Sequence, residues 1–165
     1  MVSKKVEDAL NDQVAKEAMS SQVYLAMASW AEVQGLEGVA SFLYQHSDEE
    51  RMHALKLMRY INERGGHAVV PELSQPPKDM KGIMDVFKSI LQQEVEVSGE
   101  INAIVDLCLK EKDYTTHNFM QWYVAEQIEE ERLARTMLDK LNLIGNDKGG
   151  LYLFDRDLKG FSTAE

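Results

Sequence analysis

Between Val39 and Tyr60 one stripe of side chains recurs at alternating four- and three-residue steps: Val39, Leu43, His46, Glu50, His53, Leu57 and Tyr60. Those steps keep side chains on one face of a helix, the face that packs against neighbouring helices. Three consecutive members, His46, Glu50 and His53, are not apolar. Glu50 and His53 stand one turn apart and point the same way. A carboxylate in such a seam loses hydration worth several kcal/mol unless a cation or a hydrogen-bond donor replaces it. What the chain can fold into therefore depends on what other elements place opposite Glu50.

The same stepping appears three more times. It runs through Val6, Leu10, Gln13, Glu17, Ser20, Tyr24, Met27 and Ala31, then through Ile83, Phe87, Ile90, Glu94, Val97, Ile101, Ile104 and Cys108. The last run is Met120, Tyr123, Gln127, Glu130, Ala134, Met137 and Leu141. With Ser3 as N-cap, Gln34-Gly35 and Gly65-Gly66 as stops, and Thr115 or Thr116 as a further cap, the periodicity predicts four long helices. They span about 4–33, 37–64, 82–111 and 115–144, with a short amphipathic helix over about 148–159. The short turn at Gly35 to Gly38 makes the first two antiparallel neighbours. All three prolines fall between His67 and Lys81, where no periodicity survives. A connection that long suits a crossover running the length of a bundle. The reading is an all-α, antiparallel four-helix bundle with a long crossover between its second and third helices. The fifth helix does not fit easily into a closed four-helix core, and reads as a packing or oligomer-contact piece.

At 165 residues the chain is most simply a single domain, 1–165, with room for a proper core. A net charge of −10 argues against a nucleic-acid surface and suits a protein that attracts cations. One cysteine, Cys108, rules out an intrachain disulfide or a multi-cysteine metal site; it reads as a small buried hydrophobe. The N-terminus lacks an apolar signal core and no run is long enough to span a membrane, so a cytoplasmic location is expected.

The polar seam residues keep a common register. A constant offset of 77 residues carries Glu17 to Glu94, Glu49 to Glu126, Glu50 to Gln127 and His53 to Glu130. Two helical hairpins packed about a pseudo-twofold axis would put these at one level. Four carboxylates cannot share a dry layer without neutralisation, and two divalent cations would balance them. Carboxylates with one or two imidazoles suit iron or manganese better than thiolate-loving metals. Inward glutamates with Glu-x-x-His motifs are the known form of di-iron sites in such bundles.

Over nearly its full length the chain resembles the non-haem ferritins of bacteria and archaea. The resemblance is carried by Glu17 with Tyr24, by Glu49-Glu50-Arg51-Met52-His53, and by Asn118-Phe119-Met120-Gln121-Trp122-Tyr123-Val124-Ala125-Glu126-Gln127. It implies an iron-storage homo-oligomer, a hollow cage that is usually a 24-mer, with a ferroxidase centre inside each subunit. That centre would oxidise Fe(II) with dioxygen or peroxide and pass Fe(III) to a stored mineral. By the same resemblance Glu17, Glu50 and His53 form a first iron site, Glu50 bridges to a second with Glu94 and Glu130, and Gln127 lies close by. Tyr24 matches the family's tyrosine beside the centre. Glu49, Glu126 and Glu129, sharing Glu130, match a third, inner iron site. The second half carries Gln127-x-x-Glu130 where bacterioferritins and rubrerythrins carry Glu-x-x-His, which implies a weaker second site. Arg51 stands where bacterioferritin has its haem-ligating methionine, so no haem is expected. One cysteine excludes a rubrerythrin. A DNA-protecting miniferritin is disfavoured by ligands within one subunit, no lysine-rich tail and a fifth helix.

Plainer readings compete. Tyr24 could be core with its hydroxyl bonded; Glu126 and Glu129 divide evenly between site and surface on spacing alone; Glu131 reads as a solvated face. His46 reads as a satisfied core histidine and Trp122 as packing. At the level of function the rivals are a scaffold that sequesters metal without oxidising it, and a di-metal oxidase of an organic substrate, which needs an open cleft beside the metals.

Overall fold

The computed structural model describes residues 1–160; the last five residues of the expected domain lie outside it. It contains α1 (Lys4–Val33), α2 (Glu37–Glu63), α3 (Ile83–Lys110), α4 (Tyr114–Ile144) and α5 (Lys148–Leu158), each within a residue or so of the sequence expectation. Among these, no helix is long and apolar enough to cross a membrane.

Local chemistry sets the ends. The Ser3 hydroxyl accepts from the Val6 amide and starts α1, as its N-cap position requires. Gly35, at φ 76°, takes the left-handed conformation that stops the helix cheaply. The α1–α2 pair is antiparallel, since the Val2 amide donates to the Arg64 carbonyl at the far end of α2. At the head of α4 the cap is neither Thr115 nor Thr116 but Asp113, whose Oδ1 accepts from the Thr116 amide at 3.0 Å. Aspartate wins because the break before it, with Lys112 at φ 57°, leaves residue 113 just outside the helix. The Arg64 guanidinium then forks onto both Asp113 oxygens and also donates to Thr116 Oγ1. This ties the end of α2 to the start of α4.

The segment between α2 and α3 has no regular structure, as its prolines predict. Asn11 anchors its beginning: Nδ2 donates to the His67 carbonyl and Oδ1 accepts from the Val69 amide.

The fifth helix does join the core. Phe154 and Leu158 are buried with Phe42, Phe87 and Leu141 at one end of the bundle. Asp155 reaches the N-terminus of α2, where Leu36 offers no side-chain cap, and its Oδ1 accepts from the Val39 amide at 2.9 Å. Gly38 permits this approach, because a Cβ there would land on the Asp155 carbonyl oxygen.

The seam residues form two apolar clusters. One gathers Tyr24, Met27, Leu43, Phe87 and Met137; the other gathers Leu10, Leu57, Ile101, Cys108 and Met120. A polar layer separates them. Helices α1 and α2 pack closely, as do α3 with α4 and α1 with α3, whereas α2 and α4 stand further apart. Long side chains fill that wider gap, among them the stacked rings of Tyr60 and Phe119 at 3.7 Å.

Candidate metal centre

Four helices deliver buried side chains to the layer: Glu17 from α1, Glu50 and His53 from α2, Glu94 from α3, and Gln127 and Glu130 from α4, each less than 9% exposed. Among the described residues no lysine or arginine is buried. Acidic groups thus meet with no fixed cation.

Glu17, Glu50 and His53 draw together, with one ligand atom from each within 4.8 Å of the others. His53 Nδ1 lies 3.5 Å from Glu50 Oε2 and 3.8 Å from Glu17 Oε2. Gln13, one turn before Glu17, donates to Glu17 Oε1 at 2.8 Å and aims the remaining oxygen at the histidine. Glu94 is held from two sides. The Tyr24 hydroxyl donates to its Oε1 at 2.8 Å, and Gln127 Nε2 donates to its Oε2 and to its backbone carbonyl, both at 3.1 Å. Gln127 therefore presents its amide nitrogen to a neighbouring carboxylate and serves first as a donor that orients Glu94.

Glu130 faces elsewhere as well. Its Oε2 lies 3.8 Å from His46 Nε2, and Glu49 joins them to make a second group of three ligand atoms within 4.8 Å. Glu126 is half-buried and Glu129 exposed, and neither enters either tight group among the described residues. His46 is not the satisfied core histidine its position suggested: Nδ1 meets the Phe42 carbonyl at 2.9 Å, but Nε2 is buried without a hydrogen-bond partner. The signal was present in its place on the same seam as Glu50 and His53. Trp122 packs at the rim of the layer. At 38% exposed it meets the His53 ring edge-on at 5.3 Å and carries Lys56 Nζ over its face at 3.4 Å.

Surroundings decide the charges. Burial pushes the Glu50 carboxyl well above the usual carboxylate range, with repulsion from Glu17 and Glu94 added. Burial also lifts Glu130, with help from Glu94 and Glu49, to about 8. For Glu94 burial again acts upward and outweighs the Tyr24 and Gln127 donors. On Glu17 burial acts upward too, but His53 and Glu50 bring it below its ordinary value. His53 feels burial downward and Glu17 upward, and ends above the usual imidazole value. Burial and Glu94 keep the Tyr24 phenol protonated, so that it can donate. In neutral solution the layer thus stores a proton on Glu130, and burial favours the protonated form of Glu50 as well; a divalent cation would compete with both.

A cleft of about 610 Å³ between α2 and α4 reaches the layer from outside, with His53, Glu49, Met52, Lys56 and Trp122 in its walls.

Residues 7–144 match the ferritin-like domain family, Ferritin. The chain is 43% identical over 164 residues to a bacterial non-heme ferritin of Campylobacter jejuni, covering 99% of this chain and 98% of that protein. It is 44% identical over 163 residues to a probable bacterial non-heme ferritin-like protein of Haemophilus influenzae, covering 99% of each. Among solved structures, an open pore ferritin from Archaeoglobus fulgidus superposes with a TM-score of 0.96 at 38% identity, covering 98% of this chain and 100% of that one.

Proposed function

Because the chain belongs to the ferritin-like domain family, we propose that it is a cytoplasmic iron-storage protein that oxidises Fe(II) and retains Fe(III) as mineral within a homo-oligomeric cage of the 24-mer kind. One observation carries the reading: a buried layer of four carboxylates and His53, lying between two apolar clusters, with no buried lysine or arginine among the described residues. A bundle built for stability alone would do better with apolar groups there.

Iron enters as substrate. Glu17, Glu50 and His53 take one ferrous ion, and Glu50, Glu94 and Glu130 take a second, with Glu50 between them. Mixed carboxylate and imidazole ligation accommodates both oxidation states. Each ion gives one electron to dioxygen or peroxide. Arrival of the ions drives off the proton held by Glu130. Tyr24 and Gln127 hold the Glu94 carboxylate by both oxygens, so the second site keeps its shape while the first fills. Gln127 stands where the first half has Glu50, so a neutral amide replaces what would be a further carboxylate and leaves that site a looser hold on Fe(III). Glu49, Glu126 and Glu129 then offer acidic groups on the way out of the layer.

The test is aerobic addition of Fe(II) to the metal-free protein, followed by ferric absorbance in stopped flow beside Glu50→Ala and His53→Ala. Fast oxidation that saturates near two irons per chain, and is lost in both variants, supports the reading. Rates equal to iron in buffer, or unchanged in the variants, leave a scaffold that binds metal without oxidising it. The cleft at His53 gives the organic-substrate oxidase its one supporting observation. Under that reading turnover would require an added reductant or organic co-substrate, and oxidation by Fe(II) and oxidant alone would stop after one equivalent of centre.

A further inference from the structure

The offset of 77 residues that relates the two hairpins breaks down beside Gln127. It carries Ser21 to Ser98, but it carries Ser47 to Val124 and Ala54 to Glu131. In the first hairpin Ser21 and Ser47 satisfy each other: each hydroxyl donates to the other's backbone carbonyl, at 2.7 and 2.8 Å. Val124 offers Ser98 no hydroxyl. The Ser98 hydroxyl donates instead to Glu131 Oε1 at 2.6 Å, and Arg135 donates to the other Glu131 oxygen at 2.8 Å. Glu131 is therefore not the solvated residue its place in an acidic run suggested; it is half-buried and bonded on both sides. A carboxylate only accepts, so the Ser98 proton points at Glu131 and its lone pairs are left for the Gln127 amide. Gln127 Nε2 lies 3.5 Å from Ser98 Oγ, and 3.1 Å from both Glu94 Oε2 and the Glu94 carbonyl. Three acceptors thus surround one end of the amide, and that end must be the nitrogen.

We propose that Ser98 and Glu131 are positioning residues for the second metal position: together they fix which end of the Gln127 amide faces Glu94. The proposal rests on the iron reading above, since that reading makes Glu94 a metal ligand. Ser98 is an acceptor towards Gln127 only while Glu131 takes its proton in a hydrogen bond. A hydroxyl free to turn would donate to an amide oxygen, and Gln127 would rotate by half a turn. That rotation sets an oxygen against the Glu94 carboxylate, so a donor is lost and a repulsion added. Glu94 Oε2 then has no anchor, while Oε1 keeps the Tyr24 hydroxyl. The first position is insulated, because Glu17 is held by Gln13 on its own helix. The group that sets the amide thus stands outside the layer, between α3 and α4, and acts through one hydroxyl.

Cobalt(II) alone is the probe, titrated calorimetrically into the metal-free wild type and into Glu131→Gln, Ser98→Ala, Arg135→Gln and Glu50→Ala. Glutamine at position 131 keeps the shape but brings an amide that donates to Ser98, which frees the hydroxyl to turn. In Glu131→Gln and Ser98→Ala the second ion should bind about tenfold more weakly, and the first within about twofold of wild type. Arg135→Gln breaks the same one-turn ion pair as Glu131→Gln but leaves Glu131 on Ser98. It should keep the second ion, and so controls for a general loosening of α4. Cobalt-soaked crystals assign the positions: anomalous density among Glu50, Glu94 and Glu130 should fall in the two weakened variants, and that beside Glu17 and His53 should remain. A second ion held within about twofold of wild type in either variant, an equal loss from both positions, or an equal loss in Arg135→Gln would overturn the proposal. Glu50→Ala separates it from the reading it rests on. If wild type takes no pair of ions, or Glu50→Ala loses none, the iron reading falls and the proposal with it. If Glu50→Ala loses the pair while Glu131→Gln keeps it, only the proposal falls.

Discussion

A layer assembled to receive cations is a burden on the metal-free protein, and Glu130→Gln measures how large. Burial raises the Glu130 carboxyl from an ordinary 4.5 to about 8. Between those values the folded chain holds a proton that the unfolded chain has lost. Stability from this group is therefore whole below about pH 4.5 and falls by about 1.4 kcal/mol per unit as pH rises towards 8. Glu50 and Glu94 are raised as well and act in the same direction. Asp113 and Glu17 are lowered, so what they contribute is lost only as pH falls through the acid range, outside this window. From pH 5.5 to 8 Glu130 alone amounts to at most about 3 kcal/mol, and about 2 once its neighbours relax. Glutamine keeps the shape, drops the titration and can donate to His46 Nε2. The advantage of Glu130→Gln over wild type, both metal-free, should grow by about 2 kcal/mol over that range, or roughly 4–8 °C in melting temperature. Circular dichroism melts at pH 5.5 and 8, at one protein concentration because assembly contributes, make the comparison. Added cobalt should raise the wild-type melt more than that of the variant. An advantage that does not grow with pH would refute the electrostatic account of the layer.

Three other substitutions probe separate links. Tyr24→Phe removes the 2.8 Å donor to Glu94; ferrous oxidation should slow several-fold while iron stoichiometry holds, and an unchanged rate would reduce Tyr24 to packing. Gly38→Ala places a methyl group on the Asp155 carbonyl, so α5 should lift from α2. The cost is about 2–4 kcal/mol from exposing Phe154 and Leu158, seen as a lower melt with faster proteolysis in α5; a melt within about 1 °C of wild type would contradict the docking. Arg64→Met breaks the fork onto Asp113 and should cost about 1–3 kcal/mol by chemical denaturation, with ferrous oxidation untouched.

Much of this protein was legible in one dimension. Helix number, limits and facing side are local properties, because a 3.6-residue period and capping residues act within a few positions of themselves. The offset of 77 residues that aligns Glu17 with Glu94 and His53 with Glu130 is likewise a count along the chain, and it placed the polar layer. Local rules pointed to Thr115 or Thr116 as the cap of α4, and Asp113 takes that place instead because of the backbone at Lys112.

Tertiary structure alone decided who meets whom across the layer. Periodicity puts Gln127 on the inner face, but only the α3–α4 spacing turns its amide nitrogen onto Glu94. It likewise puts His46 on the seam, but the Phe42 carbonyl selects the tautomer and the position of α4 leaves Nε2 facing Glu130. The α5 helix was readable as amphipathic, while its role as cap of α2 rests on a contact between Asp155 and Val39, far apart in the chain. Proton affinities follow the same division. Glu17 and Glu50 are identical residues on matching seams, yet one is held below and the other above the ordinary range. Burial and the distances between helices set that difference, and no run of neighbours along the chain encodes them.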